Sequence, residues 1–119
     1  MFNKPDYTYR VTVDRVIDGD TVDVFVDVGF YTTVHKRLRL LDFDAEEMHD
    51  HDPVRKERAQ KAKARMEDLL NHADNVYIQT VMDATGKYGR LLAYLWVEKG
   101  EDIVNLNVQM VHEGWQKAV

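Results

Sequence analysis

Apolar and polar side chains alternate along the first forty residues with the period-two repeat of half-buried β-strands. The pattern predicts three strands, over residues 7–17, 22–28 and about 31–41. The alternation slips near Arg15 and Val16, which indicates a bulge in the first strand. Asp18, Gly19 and Asp20 form a tight turn after it, in which the glycine tolerates positive φ. We therefore expect an antiparallel sheet that begins with a hairpin.

In the third predicted strand the two faces differ in character. Leu38 and Leu40 share one face, and Arg37 and Arg39 share the other. The leucines are expected in a core and the arginines on the outside.

A loop over residues 42–52 follows and is dense in carboxylates. It holds six of the 21 acidic residues of the chain, namely Asp42, Asp44, Glu46, Glu47, Asp50 and Asp52. Asp52 and Pro53 then read as a helix N-cap with proline at the first helical position. Apolar residues recur at intervals of three and four, at Ala59, Ala62, Met66, Leu69, Leu70 and Ala73. This spacing predicts a helix of roughly five turns that packs one stripe on the core.

The second half of the chain predicts a hairpin and a short helix. Strands are expected over residues 76–81 and 90–97, with polar turns over 83–89 and 98–101. Asn105 is placed to cap a short helix that Gly114 ends. Because crossover helices are missing between most strands, the order favours a mainly β fold. We expect a five-stranded Greek-key barrel of the OB type, with a helix between strands 3 and 4 and a short C-terminal helix.

Composition limits the alternatives. The 119 residues, 45% hydrophobic, suit a single domain over 1–119, and there is no cysteine for a disulfide or a thiolate zinc site. No apolar run reaches membrane-spanning length and no signal peptide is seen, so we expect a soluble, cytoplasmic protein unless a leader was removed, with a monomer as the default. The net charge of -5 argues against a large basic nucleic-acid footprint. Any phosphate binding must be local.

Three segments carry charged residues at the mouths of strands: residues 17–22, 39–47 and 87–90. Carboxylates and backbone carbonyls are the hard oxygen ligands of calcium and magnesium, and arginine holds phosphate in a bidentate fork. Together they would suit metal-assisted phosphodiester hydrolysis. An edge strand followed by a solvated acidic loop is the alternative for the middle segment alone.

These three segments, in this order and spacing, resemble the signatures of the staphylococcal nuclease (thermonuclease) family from Val13 to Lys117. The resemblance implies an OB barrel with flanking helices and calcium-dependent cleavage of DNA and RNA that leaves 3′-phosphate ends. A non-catalytic OB module that binds nucleic acid or protein is the alternative.

The resemblance also implies a role for each matching residue. Asp20 and Asp44 match the carboxylate ligands of calcium, and the backbone carbonyl of Ala45 matches a third ligand. Glu47 matches the carboxylate that activates water. The remaining matches are the phosphate-holding Arg39 and Arg90, and Lys87 and Tyr88, which would line a terminal phosphate. Arg37 competes with Arg39 for its role, but only Arg39 has the family's interval of five to Asp44.

Two departures from the family pattern stand out. Glu46 occupies the position where the family usually has proline, which should loosen the turn. The chain also ends at Val119, where the family continues into a stacking tyrosine and a last helix. With Asp20, Asp44, Glu46 and Glu47 close together, like-charge repulsion is expected to raise the pKa of at least one of them.

Overall fold

The computed structural model describes residues 7–85 and 91–117, and the backbone alone for residues 82–85. Six strands and two helices follow one another along this part of the chain. They are β1 (Thr8–Asp18), β2 (Thr21–Asp27), β3 (Thr33–Leu40), α1 (Pro53–Asn71), β4 (Asn75–Thr85), β5 (Leu91–Lys99), β6 (Asp102–Asn105) and α2 (Leu106–His112).

The sheet closes into a barrel through its third and fifth strands. Its order is β3-β2-β1-β4-β5-β6, with antiparallel neighbours, and β3 also pairs with β5 in parallel. Along one edge, β5 pairs with β4. Along its other edge, residues 91–93 pair with β3 and residues 96–99 pair with β6. Strands β1 to β5 therefore form the predicted five-stranded barrel of the OB type, with α1 between β3 and β4.

Period-two burial fills the barrel as the sequence pattern predicts. The buried side chains include Val22, Val24 and Val26 of β2, Leu38 and Leu40 of β3, and Ala93, Leu95 and Val97 of β5. In β1 the register with β2 shifts between Val13 and Arg15, which confirms the predicted bulge. The bulge lets a long strand bend so that it can pair with β2 at one end and β4 at the other.

The observed strands differ from the predicted ones in several places, of which the starts and ends of β3 and β4 and the presence of β6 are the most informative. β3 begins at Thr33, because Phe30 and Tyr31 adopt positive φ angles of 54° and 58° that belong to a turn. β4 continues to Thr85, so residues 83–85 are strand rather than part of the polar turn predicted over 83–89, whose remaining residues lie outside the described part of the chain. The pattern predicts no strand where β6 lies, because four residues are too few to show an alternation.

Helix α1 confirms both the predicted cap and the predicted stripe. The Asp52 side chain accepts hydrogen bonds from the backbone N–H groups of Val54 and Arg55, and Pro53 opens the helix. Ala59, Ala62, Met66 and Leu70 are buried. Within the described residues, neither helix combines the length and the apolar character that crossing a bilayer requires.

Glu113 fastens the end of α2 to α1. Its two carboxylate oxygens accept hydrogen bonds from Nε and Nη2 of Arg65 at 2.8 and 2.9 Å. Gln109 and Trp115 donate two further bonds. Led by Arg65, these donors lower the pKa of Glu113 from 4.5 to about 2. The carboxylate is therefore held ionised in the folded protein at every pH above this value.

Replacing Glu113 with glutamine should lower the free energy of unfolding by about 1 to 3 kcal/mol at neutral pH. The folded-state pKa lies below the unfolded one, so the carboxylate stabilises the fold above pH 4.5, and this stabilisation is lost as the pH falls towards 2. Urea unfolding of both proteins over this pH range measures the difference. A gap that stayed constant down to pH 2 would contradict the assignment. As a control, Glu57→Gln removes only an exposed pair with Lys61 and should cost less than about 0.5 kcal/mol.

Candidate active site

Two segments that are distant in sequence meet at Arg39. Asp20 lies in the β1–β2 turn, Arg39 near the end of β3, and Asp44 in the loop that follows. Nη2 of Arg39 is 3.6 Å from Oδ2 of Asp20 and bonds directly to Oδ1 of Asp44. The register of the sheet explains this meeting, because Thr21 pairs with Arg39 across β2 and β3, and the Leu40 N–H donates to the Asp20 carbonyl at 2.9 Å.

The loop over residues 41–48, the site loop, is fastened from the β1–β2 turn. The Ala45 N–H donates to Oδ2 of Asp20 at 3.1 Å, and the Met48 N–H donates to Oδ1 of Asp18 at 3.0 Å. Both carboxylates therefore accept hydrogen bonds from backbone N–H groups of the loop and fix its path. Phe43, 1% exposed, anchors the loop in the core.

The segment after α2 holds the site loop from the other side. The Asp44 N–H donates to Oε1 of Gln116 at 3.0 Å, and the Lys117 N–H donates to the Asp44 carbonyl at 2.8 Å. Because both of its backbone groups are engaged, Asp44 has a fixed backbone from which its carboxylate reaches Arg39. Sequence patterns gave no sign of Gln116, whose role depends on a tertiary contact.

Gly19 is needed here for a close approach between three elements. A Cβ atom at this position would lie 3.0 Å from Cβ of Ala45 and 3.0 Å from Cβ of Ala62. The predicted turn is confirmed, since β1 ends at Asp18 and β2 begins at Thr21, but the φ of the glycine is not positive, so the predicted reason for the glycine is wrong. The turn, the site loop and α1 instead pack so tightly that a side chain would push the loop away from Asp20.

Asp20 is buried, with 6% of its surface exposed, although it is a candidate metal ligand. Burial raises its pKa, against the hydrogen bonds from Thr21 and Ala45 and the charge of Arg39, which lower it. The charge of Asp18 is the smallest contribution. The pKa of one site carboxylate is thus raised as predicted, but desolvation is the main cause, and the predicted cause, like-charge crowding, is wrong.

The two glutamates of the site loop differ in exposure. The Glu47 side chain is 54% exposed, and its Oε2 lies 2.9 Å from Nε2 of the exposed His49. Glu46, where the family usually has proline, is only 7% exposed. Glu47 therefore faces the solvent from which a substrate would arrive, whereas Glu46 packs into the loop.

The structure separates the two candidate arginines. Arg37 donates from Nε and Nη2 to the carboxylate of Asp23, at 2.8 and 3.1 Å. Arg39 alone of the two contacts Asp20 and Asp44. Lys87, Tyr88 and Arg90 lie outside the described residues, but the adjoining Leu91 pairs with Leu38, next to Arg39 in sequence.

Another group of possible ligands lies on the outer face of the sheet. In the described part of the chain, one ligand atom each from Asp14, Asp23 and His35 lie within 4.8 Å of one another. This group differs from the ligand set that the family resemblance implies, which is Asp20, Asp44 and the carbonyl of Ala45. Both oxygens of Asp23 already accept from arginines, and Asp14 contacts His35 at 3.0 Å.

The sequence profile described as staphylococcal nuclease homologue matches residues 37–119, well over half of the chain. The chain belongs to the staphylococcal nuclease homologue family. The match contains Arg39, Asp44, Ala45 and Glu47, but not Asp20. The structure brings Asp20 to the matched residues through the pairing of β2 with β3.

Three bacterial proteins are similar to this family member. Endonuclease YhcR of Bacillus subtilis is 30% identical over 112 residues, which cover 90% of this chain and 9% of that protein. Protein ParB of Escherichia coli is 35% identical over 114 residues, with 88% and 54% covered. Endonuclease YncB of Bacillus subtilis is 33% identical over 89 residues, with 75% and 40% covered. The chain thus spans about half the length of ParB, and less of the two endonucleases.

Proposed function

We propose that this chain is a calcium-dependent nuclease that hydrolyses phosphodiester bonds of DNA, RNA or both and leaves 3′-phosphate ends. The observation that carries the proposal is the meeting of Asp20 and Asp44 at one guanidinium, that of Arg39, on a barrel of this family. The names of YhcR and YncB as endonucleases support the same class of reaction.

The donor set fits a hard divalent cation. Asp20 and Asp44 approach the same Arg39 nitrogen, so their oxygens already lie close enough to share one positive charge. With the carbonyl of Ala45 they would form an all-oxygen ligand set of the kind that calcium prefers. When bound, the ion would supply Lewis-acid stabilisation of charge on a phosphoryl oxygen. Asp20, whose ionised form is disfavoured by burial, would gain most from such a neighbour.

The remaining catalytic roles, holding the phosphate and activating water, would belong to side chains of this chain. Arg39 is oriented by two carboxylates and would hold the phosphate whose charge grows in the transition state. Glu47, exposed on the same loop, would position a water molecule and accept its proton. Arg90 would provide the second guanidinium, and Lys87 and Tyr88 would contact a terminal phosphate.

Replacing Asp20 with asparagine should stabilise the protein in chelator by about 0.5 to 2 kcal/mol, because it removes a carboxylate whose ionised form pays for burial. An asparagine can keep a hydrogen bond to each neighbour, because its Oδ1 can accept from the Ala45 N–H and its Nδ2 can donate to the Thr21 hydroxyl oxygen. Calcium should reduce or reverse the advantage, since it binds the folded wild type in preference to the unfolded chain. Thermal melts of both proteins in chelator and in calcium measure this. A variant that melts below wild type in chelator would show that the hydrogen bonds outweigh the desolvation.

The proposed reaction is tested with four matched substrates, single- and double-stranded DNA and RNA, each incubated with calcium or with chelator. Analysis of the product ends distinguishes 3′-phosphate from 5′-phosphate. We expect calcium-dependent cleavage of at least one substrate with 3′-phosphate ends. Binding without cleavage of any substrate would overturn the proposal in favour of a non-catalytic OB module.

A further inference from the structure

A pair of exposed arginines lies beside Arg39 on the outer face of the barrel. Arg15 of β1 and Arg37 of β3 both bind the carboxylate of Asp23, which lies between them on β2. Nε of Arg15 is 3.3 Å from Oδ2 of Asp23, and Arg37 bonds to both oxygens. One carboxylate thus orients two guanidinium groups on neighbouring strands.

The exposure of these three side chains is unequal. The side chain of Asp23 is 4% exposed, whereas those of Arg15 and Arg37 are 65% and 45% exposed. A ligand arriving from solvent therefore meets two positive groups, with their counter-charge underneath them. The hydrogen bonds from Arg37, above all, hold the pKa of Asp23 below its usual value, so the carboxylate stays ionised and keeps orienting the arginines.

The spacing along β3 relates this pair to the candidate active site. Arg37 and Arg39 are two residues apart on one strand face, so their Cα atoms are separated by about 6.5 to 7 Å. This step is comparable to one nucleotide of an extended single strand. A strand whose phosphate lies at Arg39 can therefore place the adjoining phosphate at Arg37.

Other charges limit how far such a surface extends. His35, the next residue along this face of β3, contacts the exposed Asp14 at 3.0 Å, and Asp27 is exposed near the end of β2. Asp14 borders the arginine pair, since one of its oxygens lies within 4.8 Å of an oxygen of Asp23, and together with Asp27 it would repel a further phosphate beyond the pair. Among the described residues on this face, the positive surface beyond Arg39 is therefore limited to one phosphate.

We propose that Arg15 and Arg37, oriented by the buried Asp23, bind the backbone phosphate adjacent to the one held by Arg39. The ligand class is a single-stranded nucleic acid, and the inference rests on the proposed nuclease function. Two guanidinium groups on one phosphate are a charge-assisted arrangement that strengthens binding in the ground state and the transition state alike. The pair therefore affects KM and affinity more than kcat.

The test measures binding of a fluorescently labelled oligothymidylate by anisotropy, in chelator and at low salt, so that it does not depend on cleavage. The informative variant is the double substitution D23N/R37Q, which removes one positive and one negative charge and leaves no unpaired buried carboxylate. Because the net charge is unchanged, weaker binding reports the lost guanidinium contact. Arg55→Gln, an exposed position on α1, is the matched control for loss of an arginine charge.

We expect D23N/R37Q and R15Q to weaken binding roughly fivefold to tenfold, and R55Q to change it by less than about twofold. The slope of log K against log salt for D23N/R37Q should become shallower by about 0.7, the value for one single-strand phosphate. Wild-type affinity in D23N/R37Q, or an equal loss in R55Q, would overturn the inference. A wild type that binds but never cleaves in calcium would overturn the nuclease function. In that case the affinities of these variants would still confirm or overturn the phosphate site at Arg15 and Arg37. No binding by wild type in chelator would overturn the inference, whereas the nuclease function is judged separately by cleavage in calcium.

Discussion

Replacing Glu47 with glutamine is expected to lower kcat by about a hundredfold or more. Glu47 is the exposed carboxylate of the site loop, a few residues from the candidate ligand Asp44, and 54% of its side chain is open to solvent. Glutamine has a similar size but cannot accept a proton from water, so the variant should bind substrate and fail in the chemical step. Initial rates at saturating oligonucleotide in calcium measure the loss. The same size of loss is expected for Arg39→Gln and for Arg90→Gln.

Two controls make this result specific. Glu57→Gln, an exposed position on α1, makes the same chemical change outside the site and should keep wild-type turnover. Arg37→Ala should keep kcat within a few-fold, because Arg37 contacts Asp23 and not the candidate ligands, and because the phosphate contact proposed for it affects KM rather than kcat. Unchanged turnover in Glu47→Gln would exclude it as the base, and an equal loss in Arg37→Ala would mean that the wrong arginine has been assigned.

Asn107→Ala is expected to lower the free energy of unfolding by about 3 to 5 kcal/mol. Asn107 is 2% exposed, and its Oδ1 accepts from the Leu95 N–H at 2.9 Å. Its Nδ2 donates to the carbonyls of Leu41 and Ala93, at 2.8 and 3.1 Å. Alanine would remove the partner of the Leu95 N–H and of the Leu41 carbonyl, while the Ala93 carbonyl still accepts from the Leu41 N–H, at the point where β5, α2 and the start of the site loop meet. Chemical denaturation measures the loss, a large share of the stability of a domain of this size.

The matched control is Asn71→Ala, at the exposed end of α1, which should change stability by less than about 1 kcal/mol. Asn107→Asp gives a second test, because it keeps the acceptor for Leu95 but puts a carboxylate against two carbonyls. It should be at least as destabilised as the alanine variant. If either Asn107 variant unfolds at the wild-type denaturant concentration, the three hydrogen bonds do not hold the barrel to α2.

The alternation of side chains predicted most of the barrel because burial imposes it directly. A residue such as Leu38 must lie inside if the strand is to bury one face, and Arg39 must then lie outside. Caps were equally local, since Asp52 and Asn105 contact N–H groups within three residues of themselves. Such features depend on short stretches of chain, and a single sequence contains them.

Features that depend on tertiary packing could not be predicted in the same way. Gly19 was assigned to a turn geometry, whereas the space between Ala45 and Ala62 is what requires glycine. Asn107 carried no signal beyond its place in a short helix, because its partners come from other elements. β6 was missed since four residues gain their strand geometry from pairing with β5.

The candidate site contains both kinds of feature, those visible in a short stretch of sequence and those that depend on tertiary packing. The family's interval of five from Arg39 to Asp44 favoured Arg39 over Arg37, and Arg39 is the one of the two that contacts Asp44, while Arg37 contacts Asp23. The burial of Asp23 under two arginines was not visible, because alternation placed it on the outer face of β2. An acidic residue opposite arginines on both neighbouring strands is the pattern that could have revealed it.

The most direct test of the proposed nuclease is the rate at which the purified chain cleaves a labelled single-stranded DNA oligonucleotide, and a matched RNA, in millimolar calcium, before and after a chelator is added. Both rates are to be compared with those of a D20N/D44N variant in the same buffer. We predict cleavage that stops when the chelator is added, resumes when calcium is restored, and is absent from the variant. Cleavage that continued in chelator, or that the variant performed at the wild-type rate, would contradict a reaction centred on Asp20, Asp44 and Arg39.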